Sequence, residues 1–176
     1  MQFVNSYTFA SEIVIPTVKE ALADRANRRR VYIASIVTYH LVDYIAIESG
    51  SNRSAICENL RKVCKPAFDV VQGVCHGAKH GGNKQGYRFV PGAERNVPVF
   101  AFNSPGTGWG QGRLEMPGLS VAYGEAELFL DTCLQIVLLT ICEIYKNQLG
   151  SLDLTLLDRM VSEGKPLNIS MAKQGS

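Results

Sequence analysis

The sequence has little excess charge of either sign. Its 18 lysines and arginines face 16 aspartates and glutamates, which leaves a formal net charge of +2. A balance so close to neutral does not by itself call for a nucleic-acid or membrane partner. The basic residues that do cluster, Arg25 and Arg28-Arg29-Arg30, are explained most simply as a solvated helix turn. A hydrophobic content of 46% with 19% charged residues argues against disorder.

Targeting and membrane signals are also lacking. The N-terminal stretch has no basic region ahead of its apolar residues and carries Glu12, so we expect no signal peptide. The longest apolar stretch, residues 128–145, is interrupted by Asp131, Gln135 and Glu143. Polar groups at those places predict a buried bundle helix and no membrane span.

The five cysteines lack the spacing of a redox or zinc motif. Their number is odd and no two form a CxxC pair. All five fall in predicted helices, which is typical of reduced thiols packed as small apolar groups and favours a cytoplasmic location. They are Cys57, Cys64, Cys75, Cys133 and Cys142.

A nucleotide-binding P-loop is absent as well. The glycine-rich run at residues 104–112 continues as Gln111-Gly112-Arg113, without the Gly-Lys-Ser/Thr that would hold phosphates at a helix start. No internal repeat is visible, and the run is best interpreted as a turn-rich loop tip.

Helical periodicity dominates what is present. Helices are predicted at about residues 7–23, 28–49, 55–65 and 125–149, and Pro66 opens a further segment that ends near Gly82. Gly50 is the expected C-cap of the second helix and Ser54 the expected N-cap of the third. A short amphipathic helix is possible at residues 153–162.

Glycine and proline concentrate in one region. Residues 81–124 hold ten of the 16 glycines and four of the seven prolines, with β-prone runs at 87–90, 97–102 and 119–123. We therefore predict a mainly α fold: one helical domain over residues 1–176, a bundle of four to five helices with a β-hairpin insertion at about 83–123. The tail, residues 164–176, is expected to be flexible.

Only three histidines occur, and they dominate the candidate chemistry. His76 and His80 share the polar stripe of their helix together with Asp69 and Gln72. In the second helix, Ile36, His40, Asp43 and Ile47 fall on one face at 100° per residue. We expect that face, together with Ile33, Val37 and Tyr44, to be the core-facing stripe, which would bury His40 and Asp43 as partners.

Three interpretations of these residues stay open. His76 and His80 are spaced i, i+4, as two metal ligands on one helix face would be, and His40 could add a ligand from a facing helix. Alternatively, Lys79 and His80, with Arg29 and Arg30 nearby, could hold a phosphodiester, since histidine exchanges protons near neutral pH without a metal. In the third, the three histidines have only structural roles.

A family resemblance supports the second interpretation. The late helical Val74-Cys75-His76-Gly77 and the Lys79-His80-Gly81 run are similar to the HEPN superfamily (higher eukaryotes and prokaryotes nucleotide-binding proteins). The resemblance implies an α-helical bundle, often dimeric, and in many members a metal-independent endoribonuclease. Its hallmark is an arginine four to six residues before the histidine, which would match His76 or His80. Residues 69–75 hold no arginine.

We therefore expect a HEPN-like protein that binds RNA or nucleotide phosphate, with weak or degenerate ribonuclease activity. His80 and His76 would be the acid/base groups, with His40 and Asp43 as an orienting pair. The phosphate contacts would be Lys79, Arg29 and Arg30, and no cofactor would be needed. A metal-binding bundle holding a divalent ion on His40, His76 and His80, and a non-enzymatic interaction module, are the alternatives. A homodimer is expected, formed through the aromatic-rich hairpin or the exposed side of the helix at residues 66–80.

Overall fold

The computed structural model describes residues 5–80, 95–101 and 113–154, and the side chains of residues 79–80, 95–101 and 113–117 lie outside that description. In chain order it has α1 (Ser6–Phe9), a π-helical turn (Ala10–Val14), α2 (Ile15–Ala23), α3 (Arg28–Ser49), α4 (Arg53–His80), β1 (Arg95–Ala101), β2 (Arg113–Tyr123), β3 (Ala126–Phe129), α5 (Leu130–Ile144) and α6 (Lys146–Leu149). The predicted mainly helical bundle with a β insertion is confirmed. The β-prone run at 87–90, the possible helix beyond residue 154 and the tail lie outside the described residues.

The first predicted helix is present, and the backbone stays helical through Pro16. Asn5 caps its start by accepting a hydrogen bond from the Thr8 amide at 2.7 Å. The π-helical turn stands directly before α2, which has Pro16 in its first turn, where a missing N–H costs little.

α3 has the predicted bounds because both of its ends carry strong capping residues. The Asn27 side chain accepts from the Arg30 amide at 3.2 Å. At the other end Gly50 has φ 63°, a left-handed conformation that glycine adopts without strain, and the Ser51 amide returns to the Ala46 carbonyl.

The predicted core-facing side of α3 is wrong. The buried residues are Val31, Ala34, Ser35, Thr38, Tyr39, Leu41, Val42, Ile45 and Ala46. On the predicted face Ile33 and Ile47 are exposed, whereas Ile36 and Val37 are half-buried and pack against the core. α3 is apolar on all sides, so its periodicity does not select one face, and several small residues form the face against which the neighbouring helices pack.

α4 is two helices that meet at a break. Cys64 has non-helical angles (φ −132°, ψ 44°), and Pro66 follows two residues later. Proline has no N–H to continue the helical ladder and disfavours helical angles in the residue before it, so the predicted restart at Pro66 corresponds to this break. Asn52, not Ser54 as predicted, caps the start: its side chain accepts from the Ser54 amide.

The second half of α4, residues 65–80, is a core helix. From Ala67 to Gly77 no residue is exposed, and only Asp69 and His76 are half-buried. The expectation that this half offers an exposed side for dimerisation is therefore wrong over those residues. Its polar stripe does not face water either, because Gln72 is buried.

The insertion is a three-stranded antiparallel sheet in the order β1-β2-β3. β2 turns into β3 at Gly124, whose φ is 63°, and Tyr123 pairs with Ala126. The prediction that the last helix starts at about Glu125 is wrong, since Ala126–Phe129 pairs along β2 before α5 begins. α5 is buried over most of its length and ends at Ile144, with Tyr145 as its C-cap, after which α6 adds one turn.

By length and hydropathy, α3 is the one helix among the described residues that could cross a membrane. Its best 18-residue window has a mean hydropathy of 1.2, and half of that window is buried against the rest of the chain. A core helix of a soluble protein passes the same test.

All five cysteines are free thiols; Cys142 is half-buried and the other four are buried. Burial raises the pKa of the Cys133 thiol to about 12 and that of Cys142 to about 11. A thiol whose pKa is raised in the folded state keeps its proton there while the unfolded chain loses it. Its contribution to stability is therefore complete below the ordinary thiol pKa and is lost as pH rises from about 8.5 towards the folded value.

We predict that the free energy of unfolding falls as pH rises above about 9. Each thiol that ionises only in the unfolded chain contributes a slope of about 1.4 kcal/mol per pH unit. Urea titrations at pH 8, 9, 10 and 11 should show a slope that is shallower by about that amount in Cys133→Ala. Val137→Ala is the control: it removes buried volume from the same helix and should keep the wild-type slope. Identical slopes for wild type and Cys133→Ala would contradict the prediction.

Candidate functional site

The break in α4 brings both halves of that helix against Tyr39 of α3. The Arg53 guanidinium carbon lies 4.7 Å from the centre of the Tyr39 ring, and Gln72 Nε2 lies 2.7 Å from the Tyr39 hydroxyl. In a straight helix Arg53 and Gln72 would be about 28 Å apart along the axis. The polar side chains gathered here are called the Tyr39 cluster: Tyr39, His40, Asp43, Arg53, Arg61, Asp69, Gln72, His76 and Tyr123.

One arm of the cluster joins α3 to the first turn of α4. His40 Nδ1 lies 2.6 Å from Asp43 Oδ2, and Arg53 Nε donates to Asp43 Oδ1. Asp43 also accepts from Arg53, so the carboxylate is the acceptor and Nδ1 of His40 the donor of this bond. Burial opposes the charge on Arg53, but the hydrogen bonds and charge interactions with Asp43 and Tyr39 together outweigh it, and the pKa of Arg53 is raised above its ordinary value. Arg53 is therefore a permanent cation.

The second arm closes the inside of the bend in α4. Arg61, before the break, donates through Nε to Asp69 at 3.2 Å and through Nη2 to Gln72 Oε1. Tyr123 of β2 donates to the other Asp69 oxygen at 2.9 Å. One guanidinium thus holds the two halves of α4 together, and Asp69 links them to the sheet.

The donor and the acceptor of each hydrogen bond between Arg61, Gln72 and Tyr39 can be assigned. Arginine only donates, so the Gln72 oxygen accepts from Arg61 and the Gln72 nitrogen must face Tyr39. The Tyr39 oxygen accepts from Gln72, and its hydrogen remains to be donated. His76 Nε2 lies 3.4 Å from that hydroxyl, with the two rings edge to face. In the chain Arg61 to Gln72 to Tyr39 to His76, Nε2 of His76 is the acceptor of the Tyr39 hydroxyl.

Tyr39 and Cys57, which both interact with the arginines, are uncharged at neutral pH. Burial raises the pKa of Tyr39, although the hydrogen bond from Gln72 lowers it. Burial likewise raises the pKa of Cys57, against the lowering effect of Arg53 and Arg61. Tyr39 therefore acts as a hydrogen-bonding hydroxyl and not as an anion.

The structure places the predicted residues unequally. His40 and Asp43 form a direct pair, and His76 reaches the same cluster through Tyr39. Lys79 and His80 belong to the last turn of α4, but their side chains lie outside the described atoms.

The two predicted phosphate-binding arginines of α3 lie away from this cluster. Arg29 and Arg30 are exposed on the first turn of α3, about 15 Å along the helix from Tyr39. Arg30 pairs with Asp24 at 3.7 Å.

Sequence reasoning missed Arg53 and Arg61 and the tyrosines Tyr39 and Tyr123. Asp69 and Gln72 were assigned to a solvent-facing stripe, although Gln72 is buried and Asp69 half-buried. One signal was available: Arg61 and Asp69 flank Pro66, and oppositely charged residues on the two sides of a helix break are placed to meet if the helix folds back.

No group of three or more histidine, cysteine, aspartate or glutamate side chains that could hold a metal occurs among the described residues. The centres of the His40 and His76 rings lie 6.3 Å and 5.3 Å from the centre of the Tyr39 ring. The proposed metal trio also needs His80, whose side chain is outside the description.

A scan against protein-family models finds no match for this chain, and searches of the curated proteins and of the solved structures find no significant similarity. The geometry of the Tyr39 cluster is therefore the basis on which a function is assigned.

The hydrogen-bond chain predicts coupled stability effects. Tyr39→Phe and Gln72→Leu each leave a buried partner without its hydrogen bond, so each should destabilise the fold by about 1–3 kcal/mol. The double variant should lose about 1 kcal/mol less than the sum, because both partners are then gone. Urea denaturation of the four proteins measures this cycle.

The neighbouring Thr38 supplies the control. Thr38 is fully buried, and its hydroxyl has no hydrogen-bond partner among the described atoms. Thr38→Val removes that hydroxyl at nearly constant shape and should be neutral or stabilising. Additive losses in the double variant, or a loss in Thr38→Val equal to that in Tyr39→Phe, would contradict the proposed hydrogen-bond chain.

Proposed function

We propose that the Tyr39 cluster binds a phosphate group of RNA or of a nucleotide, and that His76 exchanges protons with the bound ligand. One observation carries the proposal: Arg53 lies over the Tyr39 ring, and Arg61 bonds to Gln72, which donates to the Tyr39 hydroxyl beside the half-buried His76. Arginine is the side chain best suited to phosphate, because its planar fork can donate two parallel hydrogen bonds.

The carboxylates orient these arginines without exhausting their donors. Asp43 and Asp69 accept from the Nε atoms, and Gln72 accepts from one Nη of Arg61. A guanidinium has five N–H groups, so donors remain on each. The Arg53 and Arg61 side chains are 41% and 38% exposed, which leaves them within reach of a ligand.

His76 has the surroundings of a general base or acid. The Tyr39 hydroxyl lies 3.4 Å from Nε2 of His76 and holds the ring in place. His76 is half-buried, so part of its ring remains exposed. Imidazole changes its protonation between pH 5 and 8, and a fixed ring is suited to proton transfer.

The position of Arg61 also bears on the HEPN-like interpretation. The expected arginine is missing from the residues before His76, but Arg61 bonds to Gln72, one turn before His76 on the same helix. The bend therefore supplies a cation at the place where the sequence lacks one, which supports RNA as the ligand.

Binding is tested by fluorescence anisotropy with a short fluorescein-labelled single-stranded RNA, with ATP as a competitor. Wild type should bind, and Arg61→Gln should weaken binding about tenfold, because a charge-assisted hydrogen bond is lost. Lys62→Gln is the matched control. It removes the same charge from the next residue, whose side chain is 68% exposed and pairs with Glu58; its affinity should change less than about twofold.

A wild type that binds neither RNA nor ATP at millimolar concentration would overturn the proposal in favour of a structural or interaction module. Equal losses of affinity in Arg61→Gln and Lys62→Gln would show that binding depends only on unspecific charge attraction. Thermal melts of each variant show whether a loss arises from unfolding.

The role of His76 is tested separately by cleavage. His76→Gln keeps a polar side chain beside Tyr39, so RNA affinity should stay within about threefold. The rate of RNA hydrolysis, followed on gels at pH 7 without added metal, should fall at least about 100-fold. His40→Gln is the comparison, since His40 faces Asp43 and not the Tyr39 hydroxyl; its rate should fall less. Equal rates for wild type and His76→Gln would exclude His76 as the proton-transfer group.

A further inference from the structure

Asp69 accepts a hydrogen bond on each of its two carboxylate oxygens, from two different elements. Its Oδ1 accepts from Arg61 Nε at 3.2 Å, and its Oδ2 accepts from the Tyr123 hydroxyl at 2.9 Å. Arg61 belongs to the half of α4 before the break, whereas Tyr123 is the last residue of β2. The carboxylate is therefore the junction at which the β insertion meets a guanidinium of the Tyr39 cluster.

The position of the Tyr123 hydroxyl is set by the sheet. Leu119 and Val121 of β2 are buried, and Tyr123 itself is half-buried and packs against the hydrophobic core. Tyr123 also pairs with Ala126 across the turn at Gly124. A tyrosine ring is rigid and its side chain has only two rotatable torsions, so a fixed backbone confines its hydroxyl to a narrow region.

The hydrogen bond from Tyr123 determines how Asp69 can hold Arg61. A carboxylate that is free to turn can bind a guanidinium with both oxygens, in two parallel hydrogen bonds. Here the Tyr123 hydroxyl occupies Oδ2, so Asp69 contacts Arg61 through Oδ1 and Nε. Nη2 of Arg61 donates to Gln72, and the remaining Nη hydrogens are those that a phosphate would bind.

Of the two charged partners, the guanidinium is the more exposed. The Arg61 side chain is 38% exposed and that of Asp69 is 24% exposed. The guanidinium carbon also lies 5.4 Å from the centre of the Phe68 ring, a cation–π contact that further restricts its position. A phosphate that approaches from solvent therefore has better access to the guanidinium than to the carboxylate.

We propose that Tyr123 is a positioning residue for phosphate binding. Its hydroxyl keeps Asp69 on Nε of Arg61 and so leaves the Nη groups to the ligand. This role rests on the binding function proposed above for the Tyr39 cluster, and it adds the β insertion to the elements on which that function depends.

Fluorescence anisotropy with the same labelled single-stranded RNA tests the role of Tyr123. Tyr123→Phe removes only the hydroxyl, and the freed carboxylate can turn its second oxygen towards the Nη groups of Arg61, so RNA affinity should fall about fivefold. Tyr7→Phe is the matched control. Tyr7 is 44% exposed on α1, with its ring beside Gly150, and loss of its hydroxyl should change the affinity less than about 1.5-fold.

A double-variant cycle separates positioning from a purely structural role. Because Tyr123 acts through Arg61, Tyr123→Phe should lower the affinity no further once Arg61→Gln is present. In the Lys62→Gln background it should still lower the affinity about fivefold. A structural role alone would lower the melting temperature in both backgrounds without this difference in affinity.

The outcomes separate this role from the binding function itself. Suppose that wild type binds RNA and Tyr123→Phe binds it equally well, or that the loss persists in the Arg61→Gln background. Tyr123 then has no positioning role, while the phosphate-binding function stands. A wild type that binds neither RNA nor ATP overturns both.

A measurement on the wild type needs no stable Tyr123 variant. In protein whose arginines are labelled with nitrogen-15, the NMR signal of Arg61 Nε–H is identified by its loss in Arg61→Gln. Because Asp69 stays on Nε, this signal should keep its protection against solvent exchange when RNA is added, while the Nη signals change. Loss of the Nε protection on binding would show that the ligand displaces Asp69 and would overturn the proposal.

Discussion

The bend at Cys64 is the constraint on which the rest of the site depends. Pro66 removes one hydrogen bond from the ladder of α4, and Cys64 leaves the helical region. The Cys64 thiol lies 3.3 Å from the Leu60 carbonyl oxygen. That carbonyl therefore keeps a hydrogen-bond partner although the helical ladder is interrupted there. Without the bend, Arg61 and Gln72 would stand about 16 Å apart along the axis and could not bond. The backbone break creates the cluster, and Arg61 fixes the angle of the break.

Among the described residues, the Arg25–Asp131 pair and the Tyr39 cluster differ in exposure, and this difference separates their roles. Arg25 pairs with Asp131, which is 3% exposed, and so ties the connection before α3 to the first turn of α5. An ion pair so enclosed has no access for a ligand, and its contribution is to orient the elements it joins. The Tyr39 cluster holds more charges but keeps them at the surface, over a buried tyrosine. A polar network that is held in place by buried side chains and exposes its charged groups to solvent is typical of a binding site.

Local sequence signals predicted the elements well, and long-range packing decided the rest. Asn27 and Gly50 define α3, and Pro66 marks the break, because capping and proline geometry act within a few residues. The sequence did not predict which face of each helix is buried. In α3 the isoleucines and valines surround the helix, so only the volumes of the packed neighbours determine which side is buried. Ala126–Phe129 was assigned to α5 because its pairing along β2 depends on the turn at Gly124 and not on its own composition.

Only part of the candidate site could be predicted, because local spacing is encoded in the sequence and long-range packing is not. His40 and Asp43 are one turn apart, so helical spacing alone brings them together, and their bond follows from the sequence. Arg61 meets Asp69 and Gln72 only through the angle of the bend, and no residue pattern encodes that angle directly. The sequence therefore shows the histidines, which draw attention by their chemistry, while the arginines that would neutralise a phosphate become visible only in three dimensions.

α3 places two consecutive side chains of the Tyr39 cluster in different surroundings. Tyr39 is buried against the bend of α4, and a step of 100° leaves His40 half-buried beside Asp43. Asp43 bonds to His40 through one carboxylate oxygen and to Arg53 through the other. A displacement of His40 therefore reaches the guanidinium over Tyr39 through two hydrogen bonds, so His40 and Arg53 cannot shift independently of each other.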